Sequence, residues 1–166
     1  MSYKFKTAVI TLSDKGSRGE REDTSGPKIK EIMEEHDYEV VYMNILPDDQ
    51  NIIEYELKKL SDFCQCDLIL TTGGTGFSKR DCTPEATKNV IDKEVPGIAE
   101  AIRAYSINIT KRGMLSRAIS GIRKETLIIN LPGSCKAVEE SLTYIIDTLD
   151  HGLAILKGLD EECGRK

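Results

Sequence analysis

The 166-residue chain is long enough to close one buried core without disulfide or metal staples, which implies a single domain spanning 1–166. Its 23 basic and 28 acidic residues leave a net charge of −5, the wrong sign for a protein that neutralises many backbone phosphates, so nucleic acid is excluded as a partner. No apolar run approaches the roughly 18 residues that span a bilayer, which excludes membrane insertion. A small polyanion stays open as a ligand, because backbone N–H groups and a few cations can hold phosphates inside an acidic protein.

In chain order, "KTAVITL" (6–12) is a short β-branched run that reads as a buried strand. The polar loop "SDKGSRGEREDTSGP" (13–27) follows, longer than a simple connection needs. Pro27 then opens a segment whose apolar residues Ile29, Ile32 and Met33 carry helical spacing. "EVVYMNIL" (39–46) is a second strand, followed by Pro47-Asp48-Asp49 and a helix marked by Ile53, Leu57 and Leu60. "DLILTT" (67–72) is a third strand, leading into "TTGGTGFSKRDCTPEAT" (71–87). There Thr83-Pro84-Glu85 reads as a helix start, with threonine as N-cap, proline in the first turn and an acid behind it. Ile98, Ala101, Ile102 and Tyr105 mark a helix after Pro96, and residues 109–125 break the alternation with an edge strand or hairpin. "ETLIINLPG" (125–133) is a further strand, and Val138, Leu142, Ile145 and Leu149 mark the last helix.

Strands alternating with helices predict an α/β fold with a mostly parallel sheet between two helical layers. Ligands of such sheets collect beyond the carboxyl ends of the strands. The polar turns at 13–27, 71–87 and "LPGSCKA" (131–137) all follow strands, so parallel pairing would bring them to one edge.

Gly73, Gly74 and Gly76 leave room for close backbone approach, and the following helix start offers free N–H groups to a phosphate. Lys79 and Arg80 could add direct charge. The spacing is neither a P-loop, which would need glycine where Ser78 stands, nor G-x-G-x-x-G, which fails at Lys79. Asp81 beside these glycines makes sense if a cation such as Mg²⁺ neutralises both acid and phosphate; pairing with Arg80 or capping a turn is the plain alternative. Asp48 and Asp49 invite the same reading, with N-capping of the next helix as the alternative. Ser134 brings a hydroxyl and Lys136 a cation to the last turn. His36 and His151 are the only histidines, and neither supports a serine–histidine hydrolase. The five cysteines, at 64, 66, 82, 135 and 163, form no C-x-x-C pair, and no leader precedes the first strand, which predicts free thiols in the cytoplasm. Cys64 and Cys66 lack the second pair or nearby histidine that would complete a metal site.

These motifs, taken together, resemble the molybdopterin adenylyltransferases, the MogA-like family that includes the G domain of gephyrin. "TLSDKGSRGEREDTSGP", "LPDDQ", "TTGGTGFSKRDCTPEAT", "MLSRAISGIR" and "LIINLPGS" carry the resemblance, in order from residue 11 to about 142. It implies a three-layer α/β/α domain, a homotrimer, and transfer of AMP from Mg-ATP to the molybdopterin phosphate with release of pyrophosphate. A molybdenum-insertion protein would then take the product. By position the resemblance makes Asp48 and Asp81 the essential acids and Mg²⁺ ligands. It assigns Gly73, Gly74, Thr75, Gly76, Pro132, Gly133 and Ser134 to the nucleotide and its phosphates, and Ser13, Asp14, Ser116 and Arg117 to the pterin. Cys135 stands where relatives commonly have proline. MoaB-like members of the same fold, with little or no adenylylation, are the alternative, and the choice between molybdenum and tungsten stays open.

Overall fold

A computed structural model describes residues 3–159. Six strands form one sheet in the order β2-β1-β3-β6-β5-β4: β1 (Lys6–Leu12), β2 (Glu39–Leu46), β3 (Leu68–Thr72), β4 (Lys93–Glu94), β5 (Ser120–Arg123) and β6 (Thr126–Leu131). The four strands β2, β1, β3 and β6 are parallel, β5 runs opposite to them beside β6, and β4 pairs antiparallel with β5 at the edge. The expected break in alternation over 109–125 resolves into a 3₁₀ turn at Lys111–Leu115 and strand β5, which returns into β6 as a hairpin through Lys124 at φ 51°. The two-residue β4 carries no apolar signal, both residues being exposed, and was not foreseen.

Helices cover both faces. A core on one side joins Val9, Leu70 and Ile129 of the strands to Ile29 and Met33 of α2 (Ser25–Glu35), Ile102 of α5 (Pro96–Ile109) and Leu142 and Ile145 of α6 (Cys135–Leu156). On the other side Ile10, Ile69 and Ile128 meet Ile53, Leu57 and Leu60 of α3 (Gln50–Asp62) and Val90 of α4 (Thr83–Val90). Alternate residues of β1, β3 and β6 thus serve opposite cores, which is why these strands read as continuous apolar runs. One further helix, α1 (Asp14–Ser17), is a single turn after β1. No helix among the described residues is long and apolar enough to cross a membrane.

Asp49 caps α3, its carboxylate accepting from the Ile52 N–H at 3.1 Å, and Ser134 caps α6 by accepting from Ala137 N–H at 3.2 Å. The expected cap of α4 is corrected. Cys82 occupies the N-cap position without a side-chain bond, and Thr83 is the first helical residue. Its hydroxyl instead donates to the Gly73 carbonyl at 2.9 Å, because the glycine turn presents an unpaired acceptor there.

On the sheet edge opposite the polar turns, Arg123 of β5 makes a two-pronged bond to Asp62 at the end of α3, at 3.0 and 2.7 Å, and donates to the Val90 carbonyl of α4 at 2.8 Å. The Arg123 bond holds the Asp62 carboxyl below its usual range. A carboxyl depressed in the folded state stabilises above its unfolded pKa of about 3.9 and loses that stabilisation as pH falls through the folded value. Asp62→Asn should therefore cost about 2 kcal/mol at pH 7. The gap between the wild-type and variant urea midpoints should shrink below about pH 4.

Candidate active site

Parallel pairing sets Leu12 beside Leu46, Thr11 beside Thr72, and Thr72 beside Leu131, so the turns after β1, β2, β3 and β6 leave the sheet together. Between them lies a cavity of about 490 Å³ whose walls include Ser13, Arg21, Asp48, Gly73, Gly74, Asp81, Gly133 and Ser134. The first wall is the glycine turn. Gly73 and Gly74 adopt φ of 95° and 67°. A Cβ on Gly73 would stand 2.5 Å from the Leu12 carbonyl, and one on Gly74 would stand 2.3 Å from the Thr83 hydroxyl and 3.1 Å from Asp48 Oδ1. These glycines are thus required by the crowding of neighbouring turns, and not only by access for a ligand.

Asp48 and Asp14 are locked together. Asp48 N–H donates to Asp14 Oδ1 and Asp14 N–H donates to Asp48 Oδ2, each at 3.0 Å. Arg80 closes the group with a two-pronged bond to Asp14 at 3.0 and 3.1 Å, which pulls the Asp14 carboxyl below its usual range. Burial pushes the Asp48 carboxyl up, with the Asp14 and Asp81 charges adding to the effect and the Asp14 N–H and Arg80 opposing it. Asp48 Oδ1 is buried and has no hydrogen-bond partner. Across the cavity Asp81 Oδ2 accepts from Gly76 N–H at 2.9 Å and Ser78 N–H at 3.3 Å. The choice between Arg80 as phosphate ligand and as partner of Asp81 is thereby replaced by a third arrangement, in which it pairs with Asp14 from the next turn.

The residues expected from the sequence divide between two cavities. Ser13, Asp48, Gly73, Gly74, Asp81, Gly133 and Ser134 face the first. Thr75, Gly76, Ser116, Pro132 and again Gly133 line a second, of about 270 Å³, together with Arg103 and Arg112. Gly133 is the wall common to both. Asp14 supports the first cavity through Asp48, and Ser13 caps α1 by accepting from Gly16 N–H at 3.0 Å. Arg117 lines neither; its guanidinium bonds the Gly76 and Asp81 carbonyls and Glu85. His36 bonds the Ile32 carbonyl at the end of α2, away from both linings.

Arg21 was missed by motif reading. It is the one cation among the residues lining the first cavity, and no described residue pairs with it. Only its place in the 13–27 loop hinted at a role. Among the described residues no group of three or more His, Cys, Asp or Glu side chains could hold a metal unaided. The unpartnered oxygen of Asp48 and the facing Asp81 instead fit Mg²⁺, which commonly takes one or two carboxylates and draws its remaining ligands from water and substrate phosphates.

Residues 8–151 match the family described as a probable molybdopterin binding domain. The chain belongs to that family. It is 39% identical over 161 residues to the molybdopterin adenylyltransferase of Haemophilus influenzae, covering 96% of this chain and 81% of that one. The structure of the molybdopterin biosynthesis enzyme MoaB from Thermus thermophilus superposes with a TM-score of 0.88 at 44% identity, over 93% of this chain and 97% of that one. The tungsten cofactor synthesizing protein MoaB from Pyrococcus furiosus gives a TM-score of 0.84 at 38% identity, over 97% and 100%. A mixed α/β fold with a mostly parallel sheet and a place in molybdenum cofactor biosynthesis are common ground for this family member.

Burial separates the reactivities of the thiols. Burial, then the Asp48 charge, pushes the Cys82 thiol up to about 11, and burial pushes Cys66 up to about 11, whereas Cys64 is exposed. A rise of this size leaves on the order of 100-fold less thiolate at neutral pH. Iodoacetamide at pH 7.5, followed by peptide mapping, should modify Cys64 well before Cys66 or Cys82.

Proposed function

We propose that the chain is a molybdopterin adenylyltransferase, joining AMP from Mg-ATP to the molybdopterin phosphate and releasing pyrophosphate. The observation that carries this reading is Asp48 Oδ1, a buried carboxylate oxygen without a partner, held beside the glycine turn and opposite Asp81. A protein that only binds a pterin gains nothing from so costly a group, whereas a reaction at phosphorus needs one.

In this reading the nucleotide occupies the first cavity, with its phosphates against the Gly73-Gly74 turn, the Ser134 start of α6 and the Arg21 guanidinium. The pterin occupies the second, beside Ser116 and with Thr75, Gly76 and Pro132, which the resemblance gave to the nucleotide, while Ser13 moves to the nucleotide side; its phosphate then meets the nucleotide near Gly133. A phosphate oxygen of the pterin forms a bond to the α-phosphorus as the bond from that phosphorus to pyrophosphate breaks, and no covalent enzyme intermediate is needed. Asp48 and Asp81 would hold Mg²⁺, which when bound would neutralise charge on the phosphates and orient them. The chain's own share is placement. Asp14 fixes Asp48 through two reciprocal bonds from backbone N–H to carboxylate, and the Gly76 and Ser78 amides fix Asp81.

The second reading is the MoaB-like alternative left open by the sequence resemblance, a pterin-binding protein of the same fold with little turnover. One assay separates the two. Purified protein supplied with molybdopterin, ATP and Mg²⁺ should release pyrophosphate, and Asp48→Asn or Asp81→Asn should abolish the release while sparing pterin binding. Arg21→Ala should raise KM for ATP about tenfold, as loss of one charge-assisted contact would. Absence of pyrophosphate from folded wild-type protein that still binds pterin would favour the second reading.

The functional form is proposed to be a homotrimer. Of the apolar residues of α5 only Ala99 and Ile102 are buried, and a groove between α5 and α6 lined by Ile98, Ala101, Tyr144 and Leu149 faces outward. Ala101→Arg in that groove should shift the sedimentation coefficient to that of a monomer.

A further inference from the structure

Arg117 falls on a position that the family resemblance gives to the pterin, yet its donors are committed to the protein. Its backbone N–H donates to the Thr75 carbonyl at 2.9 Å, Nε to the Gly76 carbonyl at 2.8 Å and Nη2 to the Asp81 carbonyl at 3.1 Å, while Nη1 meets Glu85. One guanidinium therefore grips both ends of the bulge 76–81. Inside that bulge the Asp81 carboxylate accepts from Gly76 and Ser78 N–H, so the bulge and the carboxylate it carries form one hydrogen-bonded unit.

A second guanidinium stands behind the first. Arg103 of α5 donates through Nε to the Ser116 carbonyl at 3.1 Å and through Nη2 to the Ala118 carbonyl at 2.8 Å, the two residues flanking Arg117. Nη1 bonds the Ala99 carbonyl of its own helix at 3.2 Å. Arg103 is half-buried, and among the described residues no carboxylate makes an ion pair with it. Holding a cation on three neutral carbonyls is a costly way to pin a connection unless the position of that connection matters. The planar fork suits the task, since it reaches separate acceptors in fixed directions where an ammonium group would reach one.

We propose that Arg103 and Arg117 are positioning residues acting in series. Arg103 fixes segment 116–118 to α5, and Arg117 carries that placement to the bulge that orients Asp81. The kinetic consequence rests on the adenylyl-transfer reading, while the structural consequence rests on geometry alone. Because neither residue lines the first cavity, although Arg103 borders the second, their loss should act on turnover more than on nucleotide binding.

The test compares Arg103→Ala, Arg117→Ala and the double variant by amide hydrogen exchange and by pyrophosphate release. Exchange of the Gly76 and Ser78 amides, which read the grip on Asp81 directly, should accelerate about tenfold or more in each single variant, with β3 and α6 amides unchanged. kcat should fall by up to about 100-fold with KM for ATP within about twofold. The double variant should be no slower than the slower single one, as a series arrangement requires. Wild-type exchange at Gly76 and Ser78 in Arg103→Ala would overturn the series. So would multiplying losses in the double variant, or a raised KM for molybdopterin at unchanged kcat in Arg117→Ala. A general acceleration of exchange across β3 and α6 would reduce both residues to ordinary structural roles. Should the alanine variants fail to fold, Arg103→Lys and Arg117→Lys keep the charge without the fork, and the same two amides decide. If wild-type protein shows no turnover, the adenylyl-transfer reading fails while the exchange result still settles the clamp.

Discussion

The parallel register of β2, β1, β3 and β6 is the constraint on which the site depends. It aligns Leu12 with Leu46, Thr11 with Thr72, and Thr72 with Leu131, so four turns must leave one sheet edge within a few ångströms of each other. Strands about 4.8 Å apart leave little room above them for side chains. Two glycines with positive φ relieve the crowding at the Leu12 carbonyl and the Thr83 hydroxyl. The same crowding forces the turns to bond one another. Asp48 and Asp14 exchange bonds from backbone N–H to carboxylate, Thr72 hydroxyl donates to the Pro132 carbonyl at 2.6 Å, and Thr83 donates to Gly73. Few of these atoms can move alone, and a reacting phosphate benefits from such an environment.

Negative charge is concentrated in this edge against the interest of stability. Asp14, Asp48 and Asp81 lie close enough that the charges of Asp14 and Asp81 raise the Asp48 carboxyl. Backbone N–H groups and Arg80 offset part of that repulsion, and Asp48 Oδ1 is left with no offset at all. Sites that retain uncompensated groups in this way are where function and folding conflict. A divalent cation arriving with a polyphosphate would relieve the acids and the phosphates together, so the two ligands make each other's binding favourable.

Much of this was legible in the residues. Continuous apolar runs marked β1, β3 and β6 because each is buried on both faces, and Asp49, one of the two acids read as a cap for the next helix, caps α3 by a bond only three residues long. The shared edge followed from strand–helix alternation alone. Local chemistry misled at Thr83, where a favoured N-cap residue was taken over by an acceptor ten positions back in the chain. The pairing of Asp14 with Arg80, 66 positions apart, and the hold of Arg117 on the 76–81 bulge left no local trace. Arg21 sits in no spacing pattern, and its place in the cavity lining without an ion pair to any described residue shows only once the loop is folded. Contacts within a turn of chain were readable; those that needed the sheet to be assembled were not.

The division of the site residues into two cavities bears on why this edge carries both a glycine turn and a proline turn. Gly133 borders both spaces, and its α-carbon hydrogen faces the Gly73 α-carbon, where an added Cβ would stand at 3.3 Å. At Gly133 the wall shared by the cavities is therefore backbone, with no side chain of its own to intrude. Two ligands approaching from opposite sides can come as near as bare main chain allows, while Pro132 and the Thr72 hydroxyl keep that main chain from yielding. On the adenylyl-transfer reading proposed above, joining two substrates through one phosphate would use such a border, because the attacking oxygen would have to reach the phosphorus past it in one defined direction.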